Sequence, residues 1–132
     1  MNTHLDHEGS EARVLGLETV IAKAESARLF PDAPVLLCGD FNADLEDMSL
    51  PEAAVMAAHR EYRNLVNGMG PTFHDFGKTA ANIDFIYYKA AVGSGPLYGD
   101  LIVTDREKWT DCKDGVWLSD HYPVCVTLRW DS

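Results

Sequence analysis

The sequence has 132 residues, enough for one domain with one core, and we expect residues 1–132 to form it. Its net charge of −10 argues against a broad nucleic-acid-binding surface, because such a surface draws on clustered Lys and Arg. No apolar run approaches the ~20 residues of a membrane span. Residues 1–6 show no secretory signal, and three irregularly spaced cysteines indicate reduced thiols in a cytoplasmic protein. Secretion of a longer parent chain stays open.

The first elements in chain order are a strand end, a helix and a strand. Residues 2–6 fit the end of a strand. Ser10 is the predicted N-cap of an amphipathic helix that runs to about Leu29, since apolar residues recur at three- and four-residue spacing. Residues 35–40 form a short apolar run that ends in Gly39 and Asp40. This pattern predicts a strand that is buried on both faces.

The second half of the chain favours strands over helices. The predicted elements are a short helix over residues 51–59 with Pro51 in its first turn, a brief strand or turn over 62–66, strands over 82–88 and 101–103, a loop over 109–118, and a last alternating strand over 123–130. Helices and strands that are mixed in this way predict an α+β fold, with a mixed, mostly antiparallel sheet and helices on one of its faces.

Polar clusters stand at the ends of these apolar strands. They are Asn2-Thr3-His4, Gly39-Asp40-Phe41-Asn42, Ile83-Asp84 and Ser119-Asp120-His121. Each cluster alone is weak evidence, because an Asp after a strand is usually a turn residue or a helix cap. Their joint order and context make them candidates for a single site.

The four clusters match, in order, four motifs of the endonuclease/exonuclease/phosphatase superfamily, which the sequence resembles over nearly its whole length. This group is similar to deoxyribonuclease I, abasic-site endonucleases, sphingomyelinases and inositol-polyphosphate phosphatases. Thr72-Phe73-His74 looks like bacterial members in particular. The resemblance implies half of a four-layer α/β/β/α sandwich. It also implies hydrolysis of a phosphomonoester or phosphodiester by in-line attack of water, with Mg²⁺ or Mn²⁺ as cofactor.

The resemblance assigns metal and water chemistry to three of the matched residues. Asp120 and Asp40 would hold the metal ion, which prefers carboxylate oxygens. Asp40 would also orient or deprotonate the attacking water. Asn42 would hydrogen-bond the phosphate or a metal-bound water.

Histidines receive the remaining roles. His121 would contact a phosphate oxygen and stabilise developing charge, while Asp84 would hydrogen-bond its other ring nitrogen and fix the tautomer. His4 would sit on the leaving-group side as a general acid or phosphate contact. His74 is a weaker candidate for substrate binding, because its position in a loop explains it almost as well.

The resemblance also indicates what this chain lacks. Family members are longer, and their first half supplies a Glu that is a principal metal ligand; no segment here resembles that half. We therefore expect the C-terminal half of a phosphoesterase, with weak metal binding and little activity when isolated. The alternative is a non-catalytic remnant, a binding or interaction module that keeps the fold without turnover.

Partners follow from the same comparison with the family. A lone half would expose an apolar sheet face, which either a separate N-terminal polypeptide or a second copy in a homodimer would cover. The substrate is predicted to be a phosphate ester, and within the superfamily this class includes nucleic acid, phospholipids, inositol phosphates and small esters. The acidic balance of this chain slightly disfavours duplex DNA.

Overall fold

A computed structural model describes residues 1–30, 32–93 and 99–131. These residues form an α+β fold, as predicted, and none of their helices is long and apolar enough to cross a membrane. The elements in chain order are β1 (Asn2–His4), α1 (Ser10–Ser26), β2 (Val35–Asp40), α2 (Pro51–Ala58), β3 (Tyr62–Asn64), β4 (Asp84–Lys89), β5 (Asp100–Lys108), β6 (Cys112–Lys113), β7 (Val116–Trp117) and β8 (Val124–Asp131).

The main sheet has four strands in the order β1-β2-β4-β3. β1 runs parallel to β2, whereas β2 and β3 each pair with β4 in antiparallel fashion, so the sheet is mixed and mostly antiparallel, as predicted. β5 and β8 form a separate antiparallel pair, and β6 and β7 form a hairpin. The main sheet positions the polar clusters, because β1, β2 and β4 each carry one at an end.

Both helices cover one face of the main sheet. The stripe of α1 that was predicted to be apolar is buried at Leu17 and Ile21, and alternate residues of β2, Val35 and Leu37, are buried with it. Aromatic side chains complete this core at the end of β2, where Phe41 packs edge-on against Phe85 at a centroid distance of 6.0 Å. The polar end of β2 therefore begins directly beside packed aromatic rings.

A buried ion pair joins the two helices. Arg13 Nε of α1 donates to Glu52 Oε1 of α2 at 2.8 Å, and the Glu52 side chain is only 1% exposed. Arg13 also donates through Nη1 to the Asp6 carbonyl at 3.3 Å. Because a buried carboxylate without a partner is strongly destabilising, Arg13 has a structural task in this position.

The predicted N-cap and the predicted end of α1 were wrong. Gly9, not Ser10, is the N-cap, and it makes no side-chain capping bond; instead Asp6 Oδ2 accepts the Gly9 N–H at 2.6 Å in the preceding turn. The helix ends at Ser26, before Leu29. Arg28 donates through Nη1 to the carbonyl of Ala33, beyond the end of the helix, at 3.3 Å.

The prediction that β2 is buried on both faces was also wrong. Val35 and Leu37 are buried, but Leu36 on the opposite face is 40% exposed. The β5–β8 pair lies against that opposite face near β4, where the Leu101 N–H donates to the Tyr88 hydroxyl at 3.3 Å. Among the described residues, the β5–β8 pair does not cover Leu36.

The predicted loop over residues 109–118 contains the β6–β7 hairpin. Asp114 and Gly115 occupy its turn with φ values of 52° and 78°. Two positive φ values are what a two-residue type I′ turn requires, and Asp-Gly is a preferred dipeptide for it. The Asp-Gly dipeptide was therefore the sequence signal from which this hairpin could have been predicted.

Gly39 is required by the close approach of β1 to β2. Its φ is 147°, and a Cβ at this position would overlap the Thr3 carbonyl oxygen of β1. We expect Gly39→Ala to lower the free energy of unfolding by at least about 2 kcal/mol, through backbone strain and this overlap. Urea denaturation followed by circular dichroism measures the change.

Gly77→Ala is the matched control for that substitution. Gly77 also has positive φ, 87°, but nothing lies within 4 Å of the added Cβ, so only the backbone strain of about 1 kcal/mol applies. Equal losses in the two variants would show that the β1–β2 contact does not restrict residue 39.

Candidate active site

Strand pairing brings three predicted site residues into one row. Asp40 at the end of β2 is the direct partner of Asp84 at the start of β4. On its other side Asp40 is the partner of His4 at the end of β1. Directly opposed residues point to the same face of a sheet, so His4, Asp40 and Asp84 face the same side of the three strands.

His121 completes this group from outside the main sheet. Its Nδ1 lies 2.7 Å from Asp84 Oδ2, and its Nε2 lies 3.7 Å from Asp40 Oδ2. His4 Nε2 approaches the same Asp40 oxygen at 3.4 Å. Asp40 therefore lies between two imidazoles, as the predicted shared site requires.

The backbone fixes the position of His121. A β-bridge joins it to Phe73, and the two rings lie with their centroids 5.0 Å apart. The His121 N–H donates to Ser119 Oγ at 3.1 Å. Phe73 and Ser119 therefore hold the backbone of His121, and this positions the ring that bonds Asp84.

Burial and neighbouring charges move the pKa of two of these groups. Burial raises the pKa of Asp40, and the charge of Asp84 adds to this, whereas the Asn42 N–H and the two imidazoles oppose it without cancelling it. Burial lowers the pKa of His121, but the hydrogen bond and charge of Asp84, together with the charges of Asp40 and Asp120, outweigh burial and raise it. The structure thus favours the imidazolium form of His121 beside a carboxylate of increased basicity.

Asp120 is placed differently from the other predicted residues. The ligand atoms that lie within 4.8 Å of one another belong to Asp40, Asp84 and His121, and this group does not include the Asp120 carboxylate. Asp120 Oδ1 instead accepts from Ser119 Oγ at 3.1 Å. Its predicted role as a metal ligand stays a prediction.

Asn42 contacts the protein itself. Its Nδ2 donates to the Leu5 carbonyl at 2.8 Å, and its N–H donates to Asp40 Oδ1 at 2.9 Å. Asn42 has a φ of 50°, a conformation that Asn tolerates better than most residues. The side chain therefore ties the residue after β1 to the end of β2, and the backbone N–H orients Asp40. The predicted contact of Asn42 with phosphate stays a prediction.

His74 lies beneath the surface of the site. It is 3% exposed, and its ring stacks on Tyr122 with centroids 4.3 Å apart and contacts Trp117 at 4.7 Å. Its Nδ1 accepts the Gly77 N–H at 3.2 Å, which places the ring proton on Nε2. Its predicted contact with substrate stays a prediction.

Sequence reasoning gave no role to two hydroxyls near the site. Ser119 Oγ bonds both the His121 N–H and the Asp120 carboxylate, and Thr72 Oγ1 accepts the Asp84 N–H at 3.1 Å. Their only sequence signal was position, since Ser119 stands inside a matched motif and Thr72 in the stretch that looks like bacterial members. Hydrogen bonds to distant backbone cannot be read from local pattern.

Comparison with known families agrees with this geometry. The model of the Endonuclease/Exonuclease/phosphatase family matches residues 3–121, which includes every residue of the site described above. The chain belongs to the endonuclease/exonuclease/phosphatase family. The resemblance drawn from the four motifs is thereby confirmed.

Solved structures place this family member in the fold of longer proteins. A conserved protein of unknown function from Enterococcus faecalis is 26% identical with a TM-score of 0.71, and the match covers 98% of this chain and 49% of that one. An endonuclease/exonuclease/phosphatase from Bacteroides vulgatus is 24% identical (TM-score 0.73; 97% and 48% covered). A mannosyl-6-phosphatase from Bacteroides thetaiotaomicron is 24% identical (TM-score 0.65; 97% and 49% covered).

These coverages mean that this family member spans about half the length of the solved structures it matches. The predicted fold, half of a sandwich of the deoxyribonuclease I type, is confirmed in this sense. No curated protein matches the chain.

The cluster of Asp40, Asp84 and His121 lies in an open trough of about 360 Å³, whose walls include Ile86 and Val124. Two carboxylates and an imidazole nitrogen within 4.8 Å of one another are donor types that suit a divalent cation. Because His121 Nδ1 already bonds Asp84, the carboxylate oxygens are the better donors for an oxygen-preferring ion. The residues of this family member therefore fit a metal site with oxygen ligands.

The raised pKa of His121 generates a testable pH dependence. We expect this pKa to lie above the ordinary 6.5 in metal-free buffer, and Asp84→Asn to lower it, because the substitution removes the adjacent negative charge. NMR titration of the His121 ring measures both values. Asp105→Asn, an exposed carboxylate on β5, is the control that should leave the titration unchanged.

The sign of the stability effect follows from the same shift. Below pH 6.5 the His121 ring is charged in the folded and the unfolded chain, and its stabilising contribution is complete. As the pH rises through the higher folded pKa, that contribution is lost. A pKa at or below 6.5 in the folded chain would contradict the inferred interaction.

Proposed function

We propose that this protein is the C-terminal half of a Mg²⁺- or Mn²⁺-dependent phosphoesterase that hydrolyses a phosphomonoester or phosphodiester. The observation that carries the proposal is the cluster of Asp40, Asp84 and His121 within 4.8 Å, in a chain that belongs to the endonuclease/exonuclease/phosphatase family. The similarity to a structure named as a mannosyl-6-phosphatase supports phosphate-ester chemistry. The proposed substrate is a phosphate ester, a class that in this superfamily includes nucleic acid.

Asp40 would act on the attacking water, and His121 would act on the phosphate oxygens. Burial raises the pKa of Asp40, and this greater basicity suits a carboxylate that orients water and accepts its proton. The imidazolium of His121, whose Nε2 lies 3.7 Å from Asp40, would stabilise negative charge that develops on the phosphate oxygens. A bound divalent cation would neutralise phosphate charge and bind in part through Asp40, with Asp120 or Asp84.

The neighbouring residues would support these two groups. Asp84 accepts a hydrogen bond from His121 Nδ1, so it fixes the ring orientation that directs Nε2 to the substrate. His4 is largely exposed and lies 3.4 Å from Asp40, a position from which it would protonate a leaving group. Asn42 would bind phosphate or metal-bound water.

The metal site is proposed to be incomplete in the isolated chain. The chain spans about half the length of the solved structures described above. The Glu ligand that the family resemblance implies is expected in the other half. A second polypeptide segment, or a second copy of this chain, would then complete the protein. The cysteines Cys38, Cys112 and Cys125 are free thiols, which supports a cytoplasmic location.

Paramagnetic NMR tests the metal site even if binding is weak. We expect millimolar Mn²⁺ to broaden the amide signals of Asp40, Asp84 and His121 first, because the nearest carboxylates hold the ion. Asp120→Ala should weaken this effect, and calorimetry with Mg²⁺ should give weak binding. Asp105→Ala, remote from the cluster, is the matched control.

Two outcomes would overturn parts of the proposal. Broadening spread over the acidic surface, with no preference for the cluster, would remove the support for a metal-dependent enzyme and favour the non-catalytic alternative. Strong hydrolysis of an aryl phosphate or phosphodiester by the pure chain, abolished in His121→Gln, would show that the isolated chain is complete.

The exposed apolar side chains predict self-association of the isolated chain. Leu36 is 40% exposed on the face opposite the helices, and Trp130 of β8 is 45% exposed. We expect a homodimer of twice the 14.6 kDa chain mass, with an interface above ~1,000 Å² in total, in sedimentation experiments. Leu36→Asp should favour the monomer, whereas Val116→Asp on the exposed hairpin should not. A compact monomer at micromolar concentration would refute the homodimer.

A further inference from the structure

Thr72 lies in a loop, is 2% exposed, and binds the backbone at the start of β4. Its Oγ1 accepts the N–H of Ile83 at 3.2 Å and the N–H of Asp84 at 3.1 Å. A threonine hydroxyl has two acceptor lone pairs, so one side chain satisfies both donors. The backbone that carries the Asp84 carboxylate is thus fixed by a single hydroxyl.

The sheet explains why the Asp84 N–H needs such an acceptor. β3 pairs with β4 only at Tyr87, Tyr88 and Lys89. The start of β4 therefore has no β3 residue beside it on that edge. A partly buried N–H group without an acceptor is destabilising, and at Asp84 the Thr72 hydroxyl takes the place of a partner on β3. The Ile83 N–H, which precedes β4, bonds the same hydroxyl.

The same segment also holds His121. The Thr72 carbonyl accepts the Tyr122 N–H at 2.6 Å, and Phe73 forms the β-bridge to His121. One residue later, the His74 N–H donates to the Asp120 carbonyl at 2.9 Å. Residues 72–74, which we call the linking segment, thus bind Asp84 on one side and the backbone of residues 120–122 on the other.

We propose that Thr72 is a positioning residue that sets the hydrogen bond between Asp84 and His121. The side-chain hydroxyl holds the backbone of Asp84, while the main chain of the same residue holds the backbone beside His121. The 2.7 Å separation of His121 Nδ1 and Asp84 Oδ2 is then fixed by one residue that binds the backbone of Asp84 and that of Tyr122, next to His121. The inference rests on the proposed function for its catalytic meaning, but the hydrogen bond exists with or without turnover.

Substitutions by valine and serine distinguish a positioning role of Thr72 from a role in filling a buried site. Valine has the shape of threonine without the hydroxyl, and serine keeps the hydroxyl without the methyl group. If Thr72 only fills a buried site, Thr72→Val should be tolerated better than Thr72→Ser. If it positions Asp84, the order is reversed.

The test is the ring signal of His121 at fixed pH in metal-free buffer, which requires no activity. The wild-type chain should show a low-field Nδ1 proton that exchanges slowly, identified by its absence in His121→Gln. Thr72→Val should lose this signal, and Thr72→Ser should keep it. Thr79→Val, an exposed threonine in the next turn, is the matched control. Circular dichroism confirms that each variant is folded.

A folded Thr72→Val chain that keeps the signal would overturn the inference. If that variant does not fold, amide exchange in the wild-type chain decides: the Ile83 and Asp84 N–H groups should exchange slowly, and rapid exchange at both would refute the inference. If the ring signals behave as expected while Mn²⁺ broadening shows no preference for the cluster, the positioning role stands and only the proposed function is overturned.

Discussion

Two carboxylates that face each other across neighbouring strands determine this structure's chemistry. The register of β2 with β4 makes Asp40 and Asp84 direct partners, so their negative charges repel each other. His121 offsets the repulsion, because its two ring nitrogens approach one carboxylate each. The positive charge on His121 is therefore favoured by the sheet itself. The β1 pairing, the Asn42 contacts and the linking segment all act on the positions of these three side chains.

The order of the polar clusters made much of this arrangement predictable. Each cluster follows or precedes an apolar strand, so the strand ends that meet at one edge of the sheet could be expected to gather His4, Asp40 and Asp84. The separate pairing of β5 with β8 and the direction of the Asp120 carboxylate could not be predicted, because both depend on contacts between residues far apart in sequence. The exposure of Leu36 depends on what covers its face, which local pattern does not encode.

Errors at the helix and in the hairpin have a different physical origin. A hydroxyl before an apolar stripe suggests a cap, yet Asp6 serves the turn before α1 and leaves Ser10 inside the helix. α1 ends at Ser26, and the Arg28 side chain then reaches a carbonyl beyond the helix. At both ends the chain makes specific hydrogen bonds that weak local preferences do not encode. At the hairpin, by contrast, the Asp114-Gly115 dipeptide was by itself a sufficient local signal for the turn.

The β5–β8 pair has consequences for how further strands add to this protein. Among the described strands each of the two has one unpaired edge. β5 has an irregular register between Val103 and Asp105, followed by the charged, exposed residues Arg106 and Glu107, and both features disfavour pairing with another strand. β8 pairs without such an irregularity of its own. The regular register of β8 therefore makes its free edge the one on which an incoming strand would meet fewer obstacles to pairing.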